Sequence, residues 1–126
     1  MSTGPQHLRT GREGELAAYR HLRRLGYTVV ARNYRTRDGR GEIDLVAWDG
    51  DQLAFVEVKT RTREEFGEPE SAIDHRKRQN ILRAAADYLR RAGRAPDCAR
   101  FDTVGVILRN PVRIEVRKDV FSWRNG

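Results

Sequence analysis

A chain of 126 residues fits one domain with a core of its own, and 38% hydrophobic against 34% charged residues is polar without being the composition of a disordered chain. The net charge of +7 favours a polyanionic partner, although only three of the 25 basic residues are Lys, the mark of a compositional arginine bias as well. The single cysteine, Cys98, excludes an internal disulfide and makes a reducing cytoplasm the expected compartment; no apolar signal segment opens the sequence, and no apolar run reaches the length of a membrane span.

Residues 1–9 read as a tail. From about Thr10 to Leu25, "TGREGELAAYRHLRRL" has helical spacing, with Leu16, Tyr19 and Leu22 as its apolar stripe and Gly26 as its stop. "YTVVARNYR", 27–35, is rich in β-branched and aromatic residues and reads as a strand. Two further strands, 42–48 and 53–60, flank the turn around Asp49-Gly50. After a loop at 61–70, a long helix is expected from about Ser71 to Arg91, ended by Gly93 and Pro96. "RFDTVGVIL", 100–108, and "VRIEV", 112–116, are the last strands, and 119–126 reads as a tail. The order α-β-β-β-α-β-β over a single domain, 10–118, predicts an α/β (α+β) fold with a mixed central sheet flanked by helices.

The hairpin holds the unusual chemistry. By strand alternation Ile43, Leu45 and Ala47 share one face, while Glu42 and Asp44 take the other. Glu57 and Lys59 likewise share a face with Phe55. A two-residue turn at Asp49-Gly50 would set Asp44 opposite Phe55; a turn over Asp49–Gln52 would set it opposite Glu57. Either register keeps Asp44, Glu57 and Lys59 together. Two adjacent carboxylates repel and call for a neutralising partner. With three scattered histidines and one cysteine, a zinc site of the His/Cys kind is excluded, so a metal would have oxygen ligands. Magnesium is held in this way, by one or two carboxylates plus substrate phosphate. The competing reading is a solvent-facing sheet surface carrying ordinary ion pairs.

Two helices contribute candidates. Glu15 projects into the stripe between Tyr19 and Leu22, whereas Glu13 lies off it. Lys77 stands four residues before Ile81 and extends the inner face of the second helix, which buries Ile81, Leu82, Ala85, Tyr88 and Leu89. Arg76, Arg78 and Arg83 continue a basic surface there. Trp48 and Trp123 are the aromatic candidates for base stacking, with packing as the simpler role.

The spacing of Asp44 and Glu57-Val58-Lys59 resembles the PD-(D/E)xK nuclease signature. Its context, "GREGE", "GEIDLVA", "FVEVKTR", Lys77 and "RFDTVGV", resembles the YraN-like family of small bacterial proteins, themselves similar to archaeal Holliday-junction resolvases. The resemblance covers roughly Gly11 to Val106. It implies a restriction-endonuclease-like core and a Mg²⁺- or Mn²⁺-dependent nuclease acting on DNA, structure-selective for branched, flap or junction forms, in repair, recombination or DNA uptake. Carried over by position, it implies Asp44, Glu57 and the Val58 carbonyl as metal ligands, Glu15 as a further carboxylate, and Lys59 as the catalytic lysine. Ile43 stands where the signature has proline. Glu42 and Lys77 match positions of the family without an assigned role. Arg35, Arg37, Arg40, Arg61 and Arg63 flank the hairpin as phosphate contacts, with Lys77 beside them. Cutting two strands needs two sites, so a homodimer is an expected partner beside DNA and a protein partner. The alternative on the same fold is a module that binds nucleic acid or a partner protein without cutting it.

Overall fold

The computed structural model describes residues 6–62 and 75–124, with side chains from residue 11 onward. The elements follow the expected order: α1 (Gln6–Arg24), β1 (Thr28–Arg35), β2 (Glu42–Asp49), β3 (Gln52–Arg61), α2 (His75–Ala92), a 3₁₀ turn at Pro96–Cys98, β4 (Ala99–Ile107) and β5 (Arg113–Phe121). The strands form one mixed sheet in the order β1-β2-β3-β4-β5. All neighbours are antiparallel except β3 and β4, whose parallel pairing requires the crossover that contains α2.

A helix covers each face. Ala18 and Leu22 of α1 pack on Leu45, Ala47, Ala54, Val56, Val104 and Val106. On the other face Ile81, Ala84, Ala85 and Leu89 of α2 pack on Ile43, Val46, Leu53, Phe55, Phe101 and Phe121. Burial from both sides is why Leu53–Val56 reads as an unbroken apolar run. Both helices end as their glycines foretold. Gly26 and Gly93 take positive φ, and the residue after each returns its N–H to a carbonyl in the last turn, Tyr27 to Leu22 at 3.0 Å and Arg94 to Leu89 at 2.9 Å. Among the described residues no helix is long and apolar enough to cross a membrane.

Four expectations need correcting. The first helix begins at Gln6, so residues 6–9 belong to it rather than to a tail. Its buried stripe runs through Ala18 and Leu22, and Leu16 is exposed. The last strand continues to Phe121, so the sheet extends past the expected boundary at 118. Asp119 adopts φ 59° beside a shift in the β4–β5 register, and the bulge re-aims Phe121 onto Phe101, ring centroids 5.0 Å apart. Lastly, Ile43 lies on the α2 face while Leu45 and Ala47 lie on the α1 face. Residues 63–70 of the expected loop and 71–74 of the expected second helix lie outside the described residues.

One buried charge cluster belongs to the architecture. Arg100 donates two hydrogen bonds to Asp102, Nε to Oδ1 at 2.9 Å and Nη2 to Oδ2 at 2.8 Å, and Asp102 is 1% exposed. The same guanidinium donates to Gln52 Oε1 at 2.9 Å and pairs with Asp49, which Lys118 also reaches at 3.0 Å. The Asp119 N–H donates to Asp102 Oδ1 at 3.0 Å, so the bulge is tied to the carboxylate. The hydrogen bond from Lys118 holds the Asp49 carboxyl below its ordinary range; burial opposes it, and the Arg100 hydrogen bond adds to it.

Candidate metal centre

The β2–β3 ladder runs from Asp49↔Gln52 to Leu45↔Val56 and then stops. This is the register that sets Asp44 against Glu57, with Gly50 and Asp51 as the turn. Just past its end the Val58 N–H donates to Asp44 Oδ2 at 2.7 Å. The Val58 carbonyl leaves β3 on the same edge as that N–H. Asp44 also shares a hydrogen bond with the Glu57 carboxyl, which is 6% exposed. The two carboxyls therefore meet where the ladder ends, with the Val58 carbonyl on the same strand edge.

The stop has a cause in β1. Between the pairs Arg32↔Leu45 and Tyr34↔Ile43, Asn33 lies opposite Asp44 with φ 53°. Asparagine is among the few residues that enter this left-handed region readily. Ala31 and Tyr34 both face α2, as do Ile43 and Val46, so alternation reverses on both strands at Asn33 and Asp44. That reversal moved Ile43 from its expected face. Asn33 also hydrogen-bonds Glu15. Gly14, beside Glu15, allows α1 to lie this close: a Cβ there would fall 1.7 Å from Thr60 Oγ1 and 2.7 Å from Thr60 Cβ. Neither Asn33 nor Gly14 was singled out from the sequence, although an Asn within a strand pattern is a signal for such a kink.

The electrostatics are those of two carboxyls with too little compensation. Burial first, then the Glu57 charge and the hydrogen bond with Glu57, push Asp44 up to about 9, against the lowering effect of the Val58 amide. Burial and the neighbouring carboxyl thus favour the protonated form of Asp44. Burial also raises Glu15, with Glu42 and Glu57 adding to it and Asn33 and Arg32 opposing. The cation that reaches Glu57 is Lys77, with Nζ 2.7 Å from Oε2. Burial alone would lower this ammonium, but the charge and hydrogen bond of Glu57, followed by Asp44 and Glu42, hold it above its ordinary value. Lys59, two residues beyond Glu57 on β3, is half-buried.

The other candidates spread outward. Glu42 is exposed and pairs with Arg35 at 2.9 Å. Arg37 and Arg40 lie exposed in the β1–β2 loop, and Arg61 is partly exposed at the end of β3. Arg63 lies outside the described residues. Trp48 faces the Arg94 guanidinium 5.1 Å from its ring centre, and Trp123 meets Phe101 edge to face while donating to the Pro96 carbonyl at 3.2 Å. Both tryptophans are engaged in packing.

The donor set fits a hard divalent cation in its minimal form. Glu57 Oε2 is buried and lacks an aligned hydrogen bond from the described residues, although Lys77 neutralises it. Two carboxylates and a carbonyl suit an ion that keeps several waters. Among the described residues no three His, Cys, Asp or Glu side chains converge on a metal position, so Glu15 stands near the pair without joining it.

Residues 14–106 match the Uncharacterised protein family UPF0102, a stretch that contains Glu15, Asp44, Glu57, Lys59 and Lys77. The chain belongs to UPF0102. Within it, the chain is similar to a UPF0102 protein of Solibacter usitatus, 57% identical over 111 residues, which are 88% of this chain and 84% of the relative. A UPF0102 protein of Koribacter versatilis is 45% identical over 118 residues, 93% of this chain and 82% of the relative. One from Desulfosudis oleivorans is 50% identical over 99 residues, 79% of each. The UPF0102 match therefore spans α1 through most of β4, the elements that assemble the centre.

Proposed function

We propose that this UPF0102 protein is a divalent-cation-dependent nuclease of the PD-(D/E)xK kind, built on a restriction-endonuclease-like core and hydrolysing phosphodiesters in DNA. By likeness to archaeal Holliday-junction resolvases, its action is structure-selective, on branched, flap or junction DNA in repair, recombination or DNA uptake. The cytoplasm is its expected compartment and a homodimer its working form.

The observation that carries the reading is the Asp44–Glu57 pair, a half-buried and a buried carboxyl joined by a hydrogen bond where the ladder ends. A fold gains nothing from such a pair unless a cation replaces the proton. Mg²⁺ or Mn²⁺, held by Asp44, Glu57 and the Val58 carbonyl, would supply Lewis acidity toward a phosphodiester. The chain's own groups do the rest. The Val58 N–H fixes the Asp44 carboxylate. Lys59 presents an ammonium to the charge that develops on the phosphate. Lys77, now occupied with Glu57, becomes available to a phosphate once the carboxylates have another partner. Arg35, Arg37, Arg40, Arg61 and Arg63 grip the backbone without reading bases.

One observation favours the non-cleaving alternative: the Lys77–Glu57 ion pair already balances part of the charge. Cleavage assays on labelled junction, flap, single-stranded and duplex DNA in Mg²⁺, Mn²⁺ or EDTA separate the two. The nuclease reading expects cation-dependent cutting, abolished by Asp44→Ala and reduced roughly 10²–10³-fold by Lys59→Ala. Salt-sensitive binding without cutting, unchanged in both variants, would establish the binding module instead.

A further inference from the structure

The outer face of α2 carries a regular feature that the metal centre does not use. Arg76, Arg83 and Arg90 are exposed and spaced by seven residues, so they line one stripe opposite the buried Ile81, Ala84, Ala85 and Leu89. Successive guanidiniums are about 10.5 Å apart along the axis and the row is about 21 Å long. Lys77 opens the same helix and points into the carboxylate pair. Midway along, the row borders a cleft of about 370 Å³ between α2 and the β1–β2 loop, lined by Thr36, Arg37, Asp38, Arg83, Asp87 and Arg91 among others. Its two acids are already engaged. Asp38 accepts from Thr36 and from the Arg40 N–H, and Asp87 from Tyr34, Arg90 and Arg91. Among the described residues Arg37 and Arg83 make no ion pair.

We propose that this stripe, with Arg37 across the cleft, is a phosphate track for one arm of a nucleic-acid duplex leading away from the centre. The proposal rests on the nucleic-acid substrate proposed above and adds where that substrate lies. A row of about 21 Å spans about six base pairs at ~3.4 Å each. A rigid helix with evenly spaced cations matches a rigid backbone. Single-strand binders instead interleave aromatic platforms with their basic residues, and the positions between these arginines hold Gln79 and Ala86.

The test is anisotropy with a labelled duplex of about 24 base pairs, in EDTA, across a salt series. The parent runs beside Arg76→Gln/Arg83→Gln/Arg90→Gln and a control pair on α1, Arg20→Gln/Arg24→Gln, all positions being exposed. The triple variant should keep its thermal melt and lower the slope of log K against log salt by about 2.7, or ~0.9 for each lost phosphate contact, with the control slope unchanged. An unchanged triple, a control that loses as much per charge, or a parent that shows no salt-dependent binding overturns the track. Equal affinity for a single strand of the same length overturns the duplex assignment. The expected slopes without cleavage in any cation would sink the nuclease and leave the track standing; cutting by a triple with unchanged slope would do the reverse.

Discussion

Asp44 and Asp102 lie on the two strands that flank β3, nearly level in register, and meet opposite fates. Each sits where a strand loses its alternation, and each does so beside a residue of positive φ, Asn33 in one case and Asp119 in the other. Each accepts a backbone N–H, from Val58 and from Asp119. Asp102 then receives both arms of Arg100. Asp44 receives a second carboxyl. The nearly inaccessible Asp102 is thus fully compensated, whereas the half-buried Asp44 at the hairpin is not. The difference sets a compensated carboxylate apart from one left short of a partner, and the second is the pattern that the proposed metal centre calls for.

Removing the aspartates in turn is the sharpest way to break that contrast. Asp102→Ala strands Arg100, 8% exposed, without its main partner and should cost about 3–5 kcal/mol in urea denaturation. A loss below about 1 kcal/mol would mean that Asp49 and Gln52 suffice. Gly14→Ala comes next. Its Cβ would overlap Thr60 Cβ, which no Thr rotamer relieves, so α1 must shift at up to about 3 kcal/mol, and cation binding should weaken with it.

Asp44→Asn should act in the other direction. In the folded chain burial and Glu57 push the Asp44 carboxyl up to about 9, whereas in the unfolded chain it titrates near its ordinary value of 3.8. Between those values the unfolded state binds fewer protons, so the parent loses stability as pH rises. The Asn variant escapes that loss and should gain on the order of 2 kcal/mol at pH 8, with the gain fading toward pH 4. A gain independent of pH would contradict the protonated Asp44. Mn²⁺ should raise the melting temperature of the parent and leave Asp44→Asn unmoved, as scanning calorimetry would show. Lys77→Gln has the smallest expected effect, below about 1 kcal/mol, because the ammonium is half exposed. It should widen the stability difference between parent and Asn variant, by deepening the parent's penalty.

Element order and the meeting of Asp44 with Glu57 were legible in the sequence because both follow from local pattern, a period of two across a short turn. The ends of the sheet were harder. At Asp119 and Asn33 a left-handed residue reverses the pattern, so Phe121 and Ile43 face the opposite way from a plain alternation count. Helical spacing alone puts Leu16 in the stripe with Tyr19 and Leu22, but the face that docks on the sheet is centred on Ala18 and Leu22. Lys59 drew attention through its motif, whereas the ammonium that contacts Glu57 comes from Lys77, a contact set by helix docking that spacing along the chain does not encode. The Arg100–Asp102 pair went unremarked because two residues on one strand face look like any exposed ion pair until burial is known.

The parallel pairing of β3 with β4 has a consequence in time. The hairpin closes through a two-residue turn, a local event, while the β3–β4 ladder waits for the chain to travel through α2 and back. During synthesis and refolding, Asp44 and Glu57 therefore meet while water still screens them. Their conflict sharpens when α2 docks over the face that carries Glu57 and excludes solvent. Lys77 arrives on that same helix. The helix that covers Glu57 also delivers its counter-charge, so burial and pairing of that carboxylate are one event.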